Sequence, residues 1–168
     1  KRGDEIIVPA VSWSTTYIPL YQYGFKLKFV DIDLYTLNYD LEKLEEAVNN
    51  KTRAIMAVNL LGNPNNFYQI NKIIADKEII LIEDNCESLG AKFNKKYCGT
   101  YGIMGTFSSF YSHHICTMEG GMIVTDYIEL YHILLSLRAH GWTRDLPEEN
   151  QICRKQDDNF FNELFRFI

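Results

Sequence analysis

Continuous apolar runs alternate along the chain with segments whose apolar positions recur every three or four residues. Ile6–Val11 is a run of strand length, the pattern of a strand covered on both faces. Ser12 and Ser14–Thr16 offer N-caps for a helix reaching Tyr23, and Gly24 is placed to stop it. Lys28–Asp33 alternates as a short strand. Asp40 precedes Leu41, Leu44 and Val48 on one helical face. Ala54–Leu61 predicts a second buried strand, and Gly62-Asn63-Pro64-Asn65 a turn. Ile70, Ile73 and Ile74 mark the inner face of the next helix. Ile79–Ile82 is the most apolar strand and ends in Glu83-Asp84-Asn85. Lys95-Lys96 reads as a surface turn. Thr106–Tyr111 and Met122–Thr125 predict two more strands, with Glu119-Gly120-Gly121 turning into the second. Tyr127–Arg138 predicts an amphipathic helix, and the polar stretch Thr143–Asn159 a loop or mobile segment.

This alternation predicts a layered α/β domain with a mostly parallel sheet. In such sheets ligands sit beyond the carboxyl ends of the strands. Asp84 falls at one such end, Ser108 at another, and Ser12 and Trp13 follow a third. A carboxylate at a buried strand end needs a donor or a cation. A protonated ring nitrogen and a helix N-cap or buried ion pair both meet that need. Trp13 suits stacking on a flat ring, or plain core. His113 and His114 suit proton transfer, because imidazole titrates near neutral pH, and they equally suit a solvated loop. No third ligand stands at metal spacing, so no metal is expected.

Composition narrows the partners. The 168 residues carry a formal charge of -5 with no dense basic block, which argues against nucleic acid. The four cysteines form no C-x-x-C pair, the usage expected of free thiols in a reducing cytoplasm. No apolar run approaches membrane-spanning length. The start at Lys1 and the closing apolar run Phe160–Ile168 read as a segment of a longer protein.

Three blocks carry a resemblance: Glu5–Thr16, Ile82–Ala91 and Gly105–Gly121. In order and spacing they resemble the DegT/DnrJ/EryC1/StrS sugar aminotransferases, a family of fold-type-I pyridoxal phosphate enzymes. Val58–Asn66 and Arg138–Asp145 resemble more narrowly the members that remove the C3 hydroxyl from a GDP-linked 4-keto-6-deoxy sugar. The fold implied is part of the large domain of such a transferase, residues 1–168, with helices on both faces of the sheet. The N-terminal cofactor loop and the C-terminal small domain would lie outside it.

The resemblance also implies residue roles. Trp13 would stack on the ring of pyridoxal or pyridoxamine phosphate. Asp84 would hold the ring nitrogen protonated. Glu87 would lie near the ring hydroxyl or the catalytic base, and Ser108 would help hold the phosphate. His113 matches the position where aminotransferases of the family have their cofactor-anchoring lysine. No lysine lies between Lys96 and Lys155. The resemblance therefore implies an unanchored cofactor, His113 as proton carrier, glutamate as amino donor and a 3,6-dideoxy sugar as product. It further implies a cytoplasmic homodimer serving polysaccharide synthesis. Relatives that pair this histidine with an iron–sulfur cluster carry clustered cysteines after this region, where Cys153 stands alone, so no cluster is expected. Two other readings stay open: a perosamine-type aminotransferase, and a non-catalytic α/β remnant that binds a nucleotide or a partner.

Overall fold

A computed structural model describes residues 1–144 together with Leu146 and Pro147. The greater part of the Thr143–Asn159 segment lies outside the described residues. The chain divides into two compact units, Lys1–Val124 and Thr125–Ile168.

The first unit is built on a six-stranded sheet. In chain order its strands are β1 (Glu5–Pro9), β2 (Lys26–Val30), β3 (Thr52–Val58), β4 (Ile80–Asp84), β7 (Met104–Ser108) and β8 (Gly121–Val124). The spatial order is β2-β1-β3-β4-β7-β8. All neighbours pair in parallel except β7 and β8, which are antiparallel. Two short strands, β5 (Lys92–Phe93) and β6 (Lys96–Tyr97), form a separate hairpin. Asn94 and Lys95 turn it with φ of 45° and 69°, one residue earlier than the expected Lys95-Lys96 turn, because Lys96 opens β6.

Helices cover both faces, as predicted. Alternation along β1 sends Ile7 to one side and Ile6 and Val8 to the other. Ile7, Ile55, Ala57 and Leu81 meet α2 (Leu41–Ala47) and α3 (Phe67–Ile74) through Leu44, Phe67, Ile70 and Ile73. Ile6, Val8 and Ala54 meet Tyr17 and Leu20 of α1 (Ser14–Gln22). Asp40 caps α2, accepting from the N–H groups of Glu42 and Lys43, and Asn66 caps α3 through the N–H of Gln69. In the second unit α4 (Ile128–Arg138) has Glu129 in its first turn and Arg138 in its last, matching the helix dipole.

Several boundaries differ from the sequence expectation for physical reasons. The α1 N-cap is Trp13, which makes no side-chain capping bond; the Ser12 hydroxyl instead bonds that of Thr16. β2 begins at Lys26 because its register is dictated by pairing with β1, Glu5 opposite Lys26. The strand expected to reach Leu61 stops at Val58, where a buried asparagine network takes over the backbone. Asn65 Nδ2 donates to Val58 O at 2.7 Å, and Asn59 Oδ1 accepts from Asn65 N–H at 2.9 Å. Leu60–Gly62 becomes a 3₁₀ turn with Leu61 at φ 51°. β7 ends at Ser108, not Tyr111, because Ser109 N–H bonds Gly120 O and opens a loop that carries both histidines.

Glu83 in β4 is fully buried, and its carboxylate accepts from the N–H groups of Gly99, Tyr101 and Gly102. These bonds seat the 99–102 loop backbone-to-backbone on the sheet. A Cβ on Gly105 would lie 2.4 Å from Gly99 Cα, and one on Gly102 2.3 Å from Leu81 O. The ring of Tyr101 then stacks on Phe67 at 4.2 Å between centroids. Replacing Glu83 by Ala removes the shared acceptor of three amides. We expect unfolding in urea to show a loss of roughly 3–5 kcal/mol, the scale for stripping a buried charged partner. A loss under ~1 kcal/mol would mean that water substitutes for the carboxylate.

Candidate active site

The carboxyl ends of β1, β4 and β7 lie on one edge of the parallel sheet, and the residues singled out in the sequence follow them. Asp84 closes β4 opposite Thr106 of β7, and Ser108 closes β7 opposite Gly121 of β8. Asp84 is 9% exposed. It is met by donors rather than by the helix N-cap or ion pair that were open alternatives. Thr16 Oγ1 donates to Asp84 Oδ2 at 2.7 Å, and Cys86 N–H donates to Asp84 Oδ1 at 3.1 Å. Both donors are neutral.

Thr16 belongs to α1, and its N–H bonds the carbonyl of Trp13 at 3.0 Å. The turn that bears the indole is thus tied to the aspartate. Trp13 itself is 74% exposed and takes no part in the hydrophobic core of the described residues. Cys86 sits beside Asp84. Burial and then the neighbouring carboxylate push its thiol up to about 12, so at neutral pH it is a thiol rather than a nucleophilic thiolate.

Glu87 and His113 come together elsewhere on this edge. Leu61, Glu87, Ser112, His113 and His114 wall an open pocket of ≈ 460 Å³. Glu87 Oε2 accepts from Leu61 N–H at 2.7 Å, so the left-handed turn at Leu61 aims an amide at the carboxylate. His113 N–H bonds Phe110 O at 3.0 Å. The loop from Ser109 to Gly120 is closed at its base. The Ser109 and Thr117 hydroxyls are 2.7 Å apart, and Thr117 N–H bonds Ser109 O at 2.8 Å. Ser108 Oγ accepts from Phe110 N–H at 3.2 Å and so helps turn the chain into that loop.

The structure therefore groups Trp13 with Asp84, and Glu87 with His113. Trp13, Asp84 and Ser108 are not among the walls of the His113 pocket. Asp84 connects to Glu87 through the short turn that Cys86 N–H and Ser88 N–H stabilise. The sequence reading missed Thr16 except as a possible cap, and it missed Leu61 and Ser112. A threonine four residues after a serine, just past a buried strand, was the available signal for the first. Among the described residues no group of three or more His, Cys, Asp or Glu is placed to hold a metal ion, and no helix is long and apolar enough to cross a membrane.

Comparison with known proteins gives this geometry its context. Over all 168 residues the chain is 67% identical to GDP-4-keto-6-deoxy-D-mannose 3-dehydratase of Escherichia coli O55:H7. It is 64% identical to the protein of the same name from Yersinia pseudotuberculosis, and it spans 43% of the length of each. Three crystal structures of GDP-4-keto-6-deoxymannose-3-dehydratase superpose on the whole chain with TM-scores of 0.95, and the chain covers 44% of each. One is a histidine-to-asparagine variant with bound GDP-perosamine, 67% identical. A second holds a trapped PLP-glutamate geminal diamine, again at 67% identity. The third, 66% identical, has lysine in place of that histidine and asparagine in place of the serine just before it. Residues 1–156 match the DegT/DnrJ/EryC1/StrS aminotransferase family, and with the sheet order and strand-end residues described above, the chain belongs to that family.

Proposed function

We propose that this chain is part of the large domain of a pyridoxal phosphate-dependent 3-dehydratase. Its substrate would be GDP-4-keto-6-deoxy-D-mannose, its amino donor glutamate, and its product a 3,6-dideoxy sugar for polysaccharide synthesis. The observation that carries the reading is the Ser112-His113 pair on the wall of the Glu87 pocket. The chain contains a single Ser-His dipeptide, and the related dehydratase was altered at just such a neighbouring pair. This supports reading His113 as the counterpart of the histidine altered in that dehydratase, at the position where the family's aminotransferases have lysine.

The residues present fit the cofactor. Asp84 is a buried carboxylate whose hydrogen bonds come from a hydroxyl and an amide, so a cationic ring N–H is a fitting further partner. When bound, pyridoxamine phosphate supplies an amine for the sugar's C4 ketone and a ring that draws electrons from it. Asp84 holds the proton at the ring nitrogen. Trp13 offers an exposed indole face for stacking, and Ser108 a hydroxyl for the phosphate. His113 carries the proton whose movement allows the C3 hydroxyl to leave. Glu87, held by Leu61 N–H, is fixed in the same pocket, where it orients either the imidazole or the ring hydroxyl. No lysine lies between Lys96 and Lys155 to anchor the cofactor, and an amino donor such as glutamate would restore its amine form after each turnover. The family resemblance also supports a cytoplasmic homodimer for the whole protein.

Full-length protein given the GDP-keto sugar and glutamate should release ammonia and 2-oxoglutarate in equal amounts. A folded, cofactor-loaded sample yielding neither product would refute the assignment. Changing His113 to Asn should lower turnover by about 10²–10⁴-fold, the usual scale for a lost proton carrier. The His113→Lys variant should hold cofactor that borohydride fixes to the chain, with dehydration lost. Dehydration surviving at the original rate would remove His113 from its role.

A further inference from the structure

The turn between β1 and α1 reaches the end of β4 through two hydroxyls in series. Ser12 Oγ and Thr16 Oγ1 are 2.9 Å apart, and Thr16 Oγ1 donates to Asp84 Oδ2 at 2.7 Å. A hydroxyl has one proton, and that of Thr16 is committed to the carboxylate. The hydrogen between the two hydroxyls must then come from Ser12. The chain has a fixed direction, from Ser12 O–H to Thr16 O–H to the Asp84 carboxylate. Each bond in such a chain polarises the next. Thr16 and Asp84 are both 9% exposed, so water screens the terminal bond little.

Thr16 also acts through its backbone. Its N–H bonds the carbonyl of Trp13 at 3.0 Å, which makes the indole-bearing residue the N-cap of the helix. One residue therefore touches the two groups that would meet different parts of the cofactor ring. Its amide holds the segment that offers a stacking face, and its hydroxyl holds the carboxylate that would pair with the ring nitrogen. Thr16 lies 68 positions before Asp84 in the sequence, and its hydroxyl ties α1 to the end of β4.

We propose that Thr16 is a positioning residue that locks Asp84 and the Trp13 turn into one cofactor-orienting unit, with Ser12 as the outer hydroxyl of the relay. The inference rests on the pyridoxal phosphate reading above. A residue that merely fills the fold would weaken cofactor binding whether or not a carboxylate stood at position 84. A residue that works through that carboxylate loses its effect once the carboxylate is gone.

The test is a double-mutant cycle in the full-length protein, reading Kd for pyridoxal phosphate by absorbance titration. Thr16→Val should raise Kd about tenfold, and Thr16→Ser, which keeps the hydroxyl, should stay within about threefold of wild type. In an Asp84→Ala background Thr16→Val should change Kd by less than about twofold. If Thr16→Val does not fold, Ser12→Ala carries the same test, with about a threefold loss in wild type and none beside Asp84→Ala. An unchanged Kd in Thr16→Val, or equal losses in both backgrounds, overturns the inference while leaving the cofactor reading intact. Wild-type protein that binds no pyridoxal phosphate overturns both.

Discussion

Two neighbouring carboxylates are removed from water at the end of β4, and much of the first unit is arranged to meet them. A strand sends successive side chains to opposite faces, so Glu83 and Asp84 cannot share donors. Glu83 is served by three amides of the 99–102 loop, which brings Tyr101 onto Phe67 and presses Gly99 against Gly105. Asp84 is served from the other side by Thr16 of α1 and by the turn that follows the strand. An ionised carboxylate left bare in such a place costs several kcal/mol. The demand for donors thus couples the fold to the site. The donors that keep Glu83 stable build the floor under β7, and those that keep Asp84 stable hold the edge where chemistry is proposed.

A second polar cluster does the corresponding work for the pocket. Asn85 Oδ1 accepts from Asn59 Nδ2 at 2.8 Å and from Ser88 Oγ at 3.0 Å, while Asn59 Oδ1 takes two donors from Asn65. All four residues are buried. Their bonds set where β3 stops and force the turn in which Leu61 adopts a left-handed conformation. That turn aims Leu61 N–H at Glu87. The positioning of Glu87 beside His113 is thus inherited from a network that includes neither residue.

Much of this was legible in the sequence where local pattern and tertiary demand agree. The apolar runs of β1, β3 and β4 announced a sheet covered on both sides, and Asp40 announced its helix. Asp84 and Ser108 were singled out because strand ends are where open sheets place ligand groups, and both do close strands of the sheet. The rest depends on partners distant along the chain. Nothing near Glu83 in sequence signals that its donors lie at 99–102. Asn59 and Asn85 look like ordinary turn residues until the fold brings together two positions 26 apart in sequence. Strand ends were misjudged for the same reason: Leu60 and Leu61 are apolar enough to continue β3, but Asn65 occupies the backbone that a longer strand would use. Trp13 was left between stacking and core, and within the described residues it packs into no core.

The two margins of the sheet are unequally guarded. β2 presents Lys26 and Lys28, the kind of charged residue that discourages another strand from docking edge to edge. β8, the last strand at the opposite margin among the described residues, reads Gly-Met-Ile-Val, with Met122 and Ile123 about half exposed. A short, uncharged, β-branched ribbon of this kind is a template for intermolecular cross-β pairing. Within the first unit, then, the β2 margin resists the addition of a further strand by charge, whereas the β8 margin carries no charge of its own to do so.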